Sequence, residues 1–326
     1  MRRRAFISLL GGAAAATSFV WPLAARAQQP AGKRPTIGYL GGGAHTSQRT
    51  WLEAFVQRLR ELGWVDGRTV AIEIRWGEGR PERYAEIAAE LVRLKVNVIV
   101  TVGGSPTLAA KQATSLIPIV FLSGDPVGSG LVASLARPDS NATGIMGHPI
   151  GLAGKRLDLL REVLPSFRRL SVMVNANIPG FQRGMDEVQA AASTLGLEAT
   201  ILEIRRAEDV APAFEALKDR ADALYVVGAP LTFTITTLAL GARIPTIFDF
   251  REFVDAGGLM SYGTNVADLL RLAADFVDRI LRGAKPTDLP VQQPTKFDLV
   301  INLKTAKALG LKIPESFLLR ADEVVE

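Results

Sequence analysis

The sequence predicts an α/β protein built from two doubly wound parallel-sheet lobes that are joined by a multi-strand hinge. Three observations predict this. Short apolar runs of strand length alternate with amphipathic stretches of helix length. The alternation occurs twice, in two series of similar size. The remaining C-terminal elements are too few to fold alone, so we expect them to complete the two sheets.

The first series covers residues 35–122. Its first strand, PTIGYL, ends in Gly41-Gly42-Gly43, and the helix after it spaces Trp51, Phe55 and Leu59 on one face before Gly63 ends it. Later helices begin with Pro at the first position, where the missing N–H costs nothing. The predicted strands are 35–40, 69–76, 96–102 and 117–122, and the predicted helices are 49–62, 81–94 and 106–113.

The second series repeats this architecture without a residue-level repeat. Its predicted strands are 170–175, 198–204, 223–227 and 245–248, and its predicted helices are 152–164, 181–195, 210–217 and 233–240. The tail adds strands at 258–262 and 297–301, a helix at 266–281 and a short helix that ends at Gly310.

The tail fixes the predicted domain bounds. We assign residues 28–144 and 252–285 to lobe 1, residues 145–251 and 290–326 to lobe 2, and the Pro-rich stretch 286–295 to a crossing linker. A chain that returns to each lobe forms a hinge of several strands, which suits closure of two lobes around a cleft.

Composition excludes several classes of protein. The 326 residues are 48% hydrophobic and 22% charged, as in ordinary globular proteins, and none is cysteine. Disulfide scaffolds, Cys-ligated metals and cysteine nucleophiles are therefore excluded. Only two histidines occur, so no multi-His metal site can form. The formal charge of +5 includes four arginines within residues 1–27; the rest has 34 basic and 33 acidic residues, which gives no electrostatic case for nucleic-acid binding.

Residues 1–27 are predicted to be an export signal. Arg2-Arg3-Arg4 is its basic region, an Ala- and Gly-rich apolar stretch follows, and Ala25-Arg26-Ala27 fits an A-x-A cleavage site. Arg3 and Arg4 resemble a twin-arginine signal. An uncleaved anchor is the alternative, but the apolar run is shorter than the ~20 residues that span a bilayer. We therefore expect a periplasmic protein that is cleaved after Ala27 and is not embedded in the membrane.

Several stretches of the mature chain together carry a family resemblance. They are LGWVDGR (62–68), RWGEGR (75–80), PIVF (118–121), GDPV (124–127), LVASLARP (131–138), FREFV (250–254), GGLMSYG (257–263), QPTKF (293–297) and NLKTAK (302–307). In these stretches the chain resembles the periplasmic substrate-binding proteins of ABC importers, and more narrowly the family that includes tryptophan-binding members.

The resemblance implies a type I periplasmic-binding fold, ligand capture between two lobes and docking onto a membrane permease with its ATPase subunit. The implied ligand is a small organic molecule such as an amino acid or an aromatic carboxylate, and the implied state is a monomer. The segment Leu231–Ile244 is about one helical turn shorter than is usual in the family, which puts the local pocket wall in doubt. Two alternatives stay open: a periplasmic binder that serves a signalling receptor, and an exported α/β enzyme.

In open parallel sheets, ligands bind beyond the carboxyl ends of the strands. In lobe 1 this rule selects Gly42, Gly43 and His45 after the first strand, where a plain flexible loop and a surface histidine are the alternatives. It also selects the loop and helix start at Gly104, Ser105 and Thr107. Ser105 is predicted to cap the helix, whose free amides would favour a carboxylate; an ordinary capped helix is the alternative. Asp125 could bind an ammonium group or cap a helix.

In lobe 2 the same rule selects the ends of three strands. Asn175 could contact polar ligand groups or only form a turn. Gly228 lies in the next loop. Asp249 could be a hinge residue, a cap or an ammonium partner. Phe250 and Tyr262 could stack on an aromatic ligand or belong to the core.

No catalytic motif is present. G-x-S-x-G, P-loop and H-E-x-x-H patterns are absent from the sequence, and Ser105 or Ser123 as a nucleophile would need His45 or His148 as its base. We therefore expect no enzymatic activity, no cofactor and no metal, and we assign Trp51 and Trp64 to packing.

Overall fold

The computed structural model describes residues 34–147, 151–178, 181–218, 220–228 and 232–326. The predicted signal segment 1–27 and His148 lie outside these residues. The strands are β1 (Thr36–Gly41), β2 (Ala71–Trp76), β3 (Val98–Val102), β4 (Ile119–Ser123), β5 (Ala142–Met146), β6 (Arg169–Asn175), β7 (Glu198–Ile204), β8 (Ala223–Val227), β9 (Thr246–Phe248), β10 (Met260–Gly263), β11 (Asp298–Asn302) and β12 (Glu323–Val325). The helices are α1 (His45–Glu61), α2 (Pro81–Arg93), α3 (Gly104–Ala113), α4 (Ala153–Val163), α5 (Phe181–Thr194), α6 (Val210–Leu217), α7 (Thr232–Gly241), α8 (Glu252–Asp255), α9 (Val266–Leu281), α10 (Leu303–Ala308) and α11 (Glu315–Leu318).

The first sheet has the order β2-β1-β3-β4-β5, and all of its pairs are parallel. Its central strands β3 and β4 are buried on both faces, as their continuous apolar sequences predict. One face packs on α1 and α9, and the other packs on α2 and α3. These elements form the first lobe.

Strand β5 was not predicted, because its sequence ATGIM contains a glycine and has weak strand propensity. The glycine is required here. A Cβ at Gly144 would lie 2.0 Å from the carbonyl oxygen of Phe121 on the neighbouring strand. The two backbones therefore approach so closely that glycine is needed at position 144, although a glycine weakens the sequence signal of β5.

The second sheet has the order β12-β11-β10-β9-β8-β6-β7, and it is parallel apart from the antiparallel pair β10–β11. Its core lies in two clusters on its opposite faces, which include the side chains of α4 and α5 in one and of α6 and α7 in the other. These strands, with α4–α8, α10 and α11, form the second lobe. The predicted fold class of two doubly wound lobes is confirmed.

Judged from the elements that the structure describes, the chain passes between the lobes three times, after β5, after β10 and before β11. This corrects the predicted bounds. Residues 252–263 were assigned to lobe 1, but α8 packs in the second lobe and β10 pairs with β9 and β11. The later part of the predicted range 252–285, α9, does pack in the first lobe, through its contact with α1. The bound at 144 falls inside β5. Residues 291 and 292, placed in the linker and lobe 2, hydrogen-bond to the first lobe at Leu135 and Gly144.

Among the described helices, none combines the length and the apolar composition needed to cross a bilayer.

Candidate functional site

Among the described residues, two polar side-chain pairs join the carboxyl ends of the two sheets. Asp125, just after β4, pairs with Arg183 of α5, with 3.0 Å between Oδ2 and Nη1. Trp51 of α1 donates its indole N–H to Oε1 of Glu252 in α8, at 2.5 Å. Phe250 packs against cores of both lobes. The loops after β1, β3 and β4 therefore face the loops after β6, β8 and β9, and we call the space between them the cleft.

The triple-glycine loop after β1 is held by the backbone around it. The amide of Gly42 donates to the Val102 carbonyl at 3.0 Å, and its own carbonyl accepts the Tyr84 hydroxyl at 2.9 Å. A Cβ at Gly42 would lie 2.6 Å from the Val102 oxygen, so glycine serves packing at this position. The Gly42 amide is consequently not available to a ligand.

The residues that follow in this loop are more open. The carbonyl of Gly43 accepts the amide of Glu78 at 3.3 Å. His45 is exposed and begins α1, with its ring edge-on to Trp76 at 5.5 Å. Gln48 is buried beneath the loop, and its Oε1 accepts no hydrogen bond from the described residues.

The start of α3 differs from its prediction. The helix begins at Gly104, and its N-cap is Gly103 with φ 111°, so Ser105 lies inside the first turn and is not the cap. Glycine tolerates this φ, which explains why it replaces Ser105 as the cap. Thr107 is fully buried, shares a 2.8 Å hydrogen bond with Thr101 and donates to the Gly103 carbonyl at 2.6 Å. Thr107 thus supports the loop from below, whereas Gly104 and Ser105 are partly exposed at the cleft.

Asp125 does not cap a helix, because residues 126–130 form turns and not the helix that this alternative required. Its Oδ1 accepts the amides of Val127 and Gly128 at 3.2 and 2.8 Å and so holds this turn. Its Oδ2 holds a cation, but that cation is Arg183 from the opposite lobe. Asp125 therefore links the lobes in this conformation.

In the second lobe, two of the predicted residues form turns and loop contacts. Oδ1 of Asn175 accepts the amide of Asn177 at 3.0 Å, which is the turn-forming alternative. Gly228 has a φ of 57° and donates its amide to Oδ2 of Asp249 at 3.2 Å. Asp249 is 1% exposed. The aspartate thus ties the loops after β8 and β9 together beneath the cleft.

The two predicted aromatic residues are half-buried, between the core and the cleft. Phe250 packs on both lobes, as stated above. The Tyr262 ring lies 6.1 Å from the Phe297 ring, and its carbonyl accepts Nε of Arg156 at 2.7 Å. These contacts agree with the alternative that the two aromatic side chains belong to the core.

Arg156 was missed by sequence reasoning. It lies in the first turns of α4, is 6% exposed, and donates from Nη1 to the hydroxyl of Tyr225 at 2.6 Å. Burial works to lower the pKa of Arg156, but Tyr225, Asp249 and Glu187 outweigh it and hold the pKa above its ordinary value. The guanidinium is therefore charged in the folded chain. A signal was present: Ala153, Arg156, Leu157 and Leu160 share one helical stripe, so a cation interrupts an apolar face.

The inter-lobe pair of Trp51 and Glu252 was also missed, because Trp51 was assigned to packing. Burial raises the pKa of Glu252, and the hydrogen bond from Trp51 only partly opposes this. Its second oxygen, Oε2, is buried without a hydrogen-bond partner among the described residues.

A separate groove of about 560 Å³ lies along α9, lined by Arg58, Arg271, Lys296 and neighbours in α9 and residues 292–296. Arg58 pairs with Asp275 and Glu61, Arg271 pairs with Glu61, and Lys296 pairs with Asp298. Its cations are thus neutralised from within the chain. None of the residues predicted to bind the ligand lines this groove.

Comparison with known proteins places the same family of proteins over most of the chain, including both lobes. The family model for ABC transporter substrate binding protein matches residues 44–325. A tyrosine-binding protein of Clostridioides difficile (strain R20291) is 26% identical over 285 residues, which is 86% of this chain and 82% of that protein.

Two solved structures are similar over nearly the whole chain. The ABC domain in complex with L-Trp from Streptococcus pneumonia has a TM-score of 0.84 at 25% identity, covering 90% of this chain and 100% of that one. The ligand-free, open structure of a substrate binding protein with adhesive properties from Clostridium difficile has a TM-score of 0.69 at 25% identity, covering 89% and 99%.

Proposed function

Since the chain belongs to the family of ABC transporter substrate-binding proteins, we propose that it captures an aromatic amino acid in the cleft and delivers it to a membrane permease. The observation that carries this proposal is the pair of contacts, Asp125 with Arg183 and Trp51 with Glu252, that joins the carboxyl ends of the two sheets. These ends are where open α/β sheets bind ligands. The cleft is thus bordered by loops of both lobes.

The mechanism is a population shift between open and closed arrangements of the lobes. A ligand that touches loops of both lobes binds more tightly to the closed form, and this differential affinity drives closure. The permease then recognises the closed pair of lobe faces, and the transporter's ATPase subunit hydrolyses ATP. The chain itself catalyses nothing in this scheme.

The relatives support the ligand class. One is a tyrosine-binding protein and another was solved with L-Trp. At equal identity, this chain has the higher TM-score with the L-Trp complex, 0.84, and the lower one, 0.69, with the ligand-free, open structure. Contacts that cross the cleft fit the same interpretation, in which the described conformation is a closed one.

The remaining features of the proposal follow from the sequence. Residues 1–27 direct export, cleavage follows Ala27, and the mature chain works as a monomer in the periplasm. The loops that contact the ligand are those of Gly43, His45, Gly104 and Ser105 in the first lobe and of Asn175, Gly228 and Phe250 in the second.

The test is a ligand screen followed by a closure measurement. L-Tryptophan, L-tyrosine, L-phenylalanine, L-leucine and D-glucose are each added to the purified chain, and melting temperature and calorimetric Kd are recorded. An aromatic amino acid at a hundredfold excess over Kd is expected to stabilise the fold by about 2.7 kcal/mol. Small-angle scattering should then show a smaller radius of gyration on binding. Binding of glucose alone, or no response to any amino acid, would refute the proposed ligand class.

A further inference from the structure

Arg156 occupies the place where two of the chain crossings converge. It follows the first crossing, in the first turns of α4, and it reaches the carbonyl of Tyr262 at the carboxyl end of β10, where the second crossing begins. The two crossings touch through Thr264, whose hydroxyl donates to the Gly147 carbonyl at 3.1 Å. The end of β10 also lies close against the residue after β9, because a Cβ on Gly263 would lie 1.8 Å from the Asp249 carbonyl oxygen. Arg156 therefore lies at the floor of the cleft, beside the hinge.

The side chain is nearly fully buried, and among the described residues its charge has no carboxylate at ion-pair distance. Nε and Nη1 donate to a carbonyl and to a phenol hydroxyl, which are neutral acceptors. Within the described residues, no carboxylate forms an ion pair with Arg156, and Nη2 donates no hydrogen bond. Asp249 and Glu187 act on it only through longer-range charge interaction.

A buried cation is expensive unless it is paired and hydrogen-bonded. When an arginine pairs with a carboxylate, the pair is frequently bidentate. Here two neutral acceptors fix the orientation of the guanidinium, and Nη2 donates to no group of the described residues. A buried cation held in this way is suited to bind an anion.

We propose that Arg156 binds the carboxylate of the ligand, so that this site selects molecules that carry a carboxylate near the hinge end of the cleft. The inference rests on the proposed function and narrows it: the ligand must be an acid, whatever its side chain. Tyr225 and the Tyr262 carbonyl are positioning groups, because they hold the guanidinium and do not themselves reach the carboxylate in this scheme.

The experiment compares each acid with its neutral amide. Calorimetric Kd values are measured for L-tryptophan and L-tryptophanamide, and for L-tyrosine and L-tyrosinamide. The amides keep the ammonium group and the ring but lack the negative charge. The wild-type chain is expected to bind the acid about 100-fold more tightly than the amide, which corresponds to about 2.8 kcal/mol.

The variants are Arg156→Met, Arg156→Lys and the control Arg161→Met. Arg161 is on the same helix and donates to the Leu195 carbonyl, so its removal costs an arginine hydrogen bond away from the cleft. Arg156→Met should weaken binding of the acid about 100-fold, leave the amide unchanged and thereby abolish the discrimination. Arg156→Lys should keep part of the discrimination, because it keeps the charge. The control should behave as the wild type.

The outcomes separate the two proposals. If the wild type binds an aromatic acid, but binds the amide equally well or is unaffected by Arg156→Met, then the role of Arg156 is refuted while the proposed function stands. If no aromatic amino acid binds, the proposed function fails, and the melting temperatures of the variants without ligand then test the role of Arg156. A larger drop in melting temperature for Arg156→Met than for Arg161→Met identifies Arg156 as a structural residue and refutes the inference. An equal or smaller drop supports the inference.

Discussion

Replacing Arg183 by glutamine should weaken ligand binding without weakening the fold. In the described structure Arg183 crosses the cleft to Asp125, and the two atoms Nη1 and Oδ2 are 3.0 Å apart. Opening the lobes separates the two sheets' loops, so the pair stabilises only the closed form. Its loss should therefore lower the fraction of closed molecules and raise the apparent Kd by the same factor.

The magnitude follows from the exposure of the two side chains. Asp125 is 11% exposed but Arg183 is 55% exposed, so solvent screens the pair and it belongs with surface ion pairs, which are worth about 0.2–1 kcal/mol. Because about 1.4 kcal/mol is a tenfold change in affinity, the Kd should rise by a factor of about 1.4 to 5. At 1 M salt, where the Debye length falls to about 3 Å, most of this difference should disappear.

The assay is calorimetric Kd at low and at high salt for wild type, Arg183→Gln and Asp125→Asn, singly and combined. Arg205→Gln is the matched control, since Arg205 is 58% exposed and pairs with Glu203 inside one lobe. The two cleft variants should not be additive, because each removes the same contact. A Kd in Arg183→Gln that equals that of the control at low salt, or full additivity of the pair, would refute the reasoning.

Three further predictions concern the fold around the cleft. Burial raises the pKa of Glu252, so the folded chain binds more protons than the unfolded chain between pH 4.5 and the raised pKa, and its stability falls as the pH rises through this window. Glu252→Gln keeps the acceptor for Trp51 and should flatten this decline, measured by urea unfolding across the window. The Arg169 guanidinium and two backbone amides lower the pKa of Asp222 from 3.8 to about 2. The stability that this carboxylate contributes is therefore present above pH 3.8 and is lost as the pH falls through about 2. Asp222→Asn should lower the free energy of unfolding by about 1–2 kcal/mol at neutral pH, after allowance for screening, and should not change it below about pH 2. Thr107→Val removes a 2.6 Å hydrogen bond to Gly103 in a buried site, so the free energy of unfolding should fall by about 1–2 kcal/mol; an unchanged value would mean that the hydroxyl does not support the loop.

The order of strands and helices was predictable because each element carries a local signal. Helix α2 starts at Pro81 as predicted, and α9 has the predicted bounds with Asn265 as its cap. Elements without such a signal were missed. Strand β5 contains Gly144, and helix α8 has only four residues, too few for a periodic pattern. The place of β10 in the second sheet could not be predicted, because strand pairing is a tertiary property.

The candidate site was predictable at the level of loops and not of side chains. The rule of carboxyl strand ends selected the loops that border the cleft, including those of Asp125 and Asp249. It could not reveal that Trp51 meets Glu252, 201 positions away in the chain. Nor could it show that Thr107 points into the fold. Distant pairs depend on how two lobes meet, and no spacing within the sequence encodes that.

The path of α9 has a consequence for synthesis and folding. One face of the first lobe's sheet is closed by α1 together with α9, but α9 follows the whole of α4 to β10 in the chain. A nascent chain that ends before residue 266 thus presents apolar strand and helix surface that Leu270, Ala273 and Val277 later cover. The N-terminal lobe therefore cannot finish folding ahead of the C-terminal one, as successive domains do during translation. Chaperone binding and aggregation should therefore be greatest for truncated chains that end before residue 266. The two lobes should complete their folding together, after α9 has been synthesised.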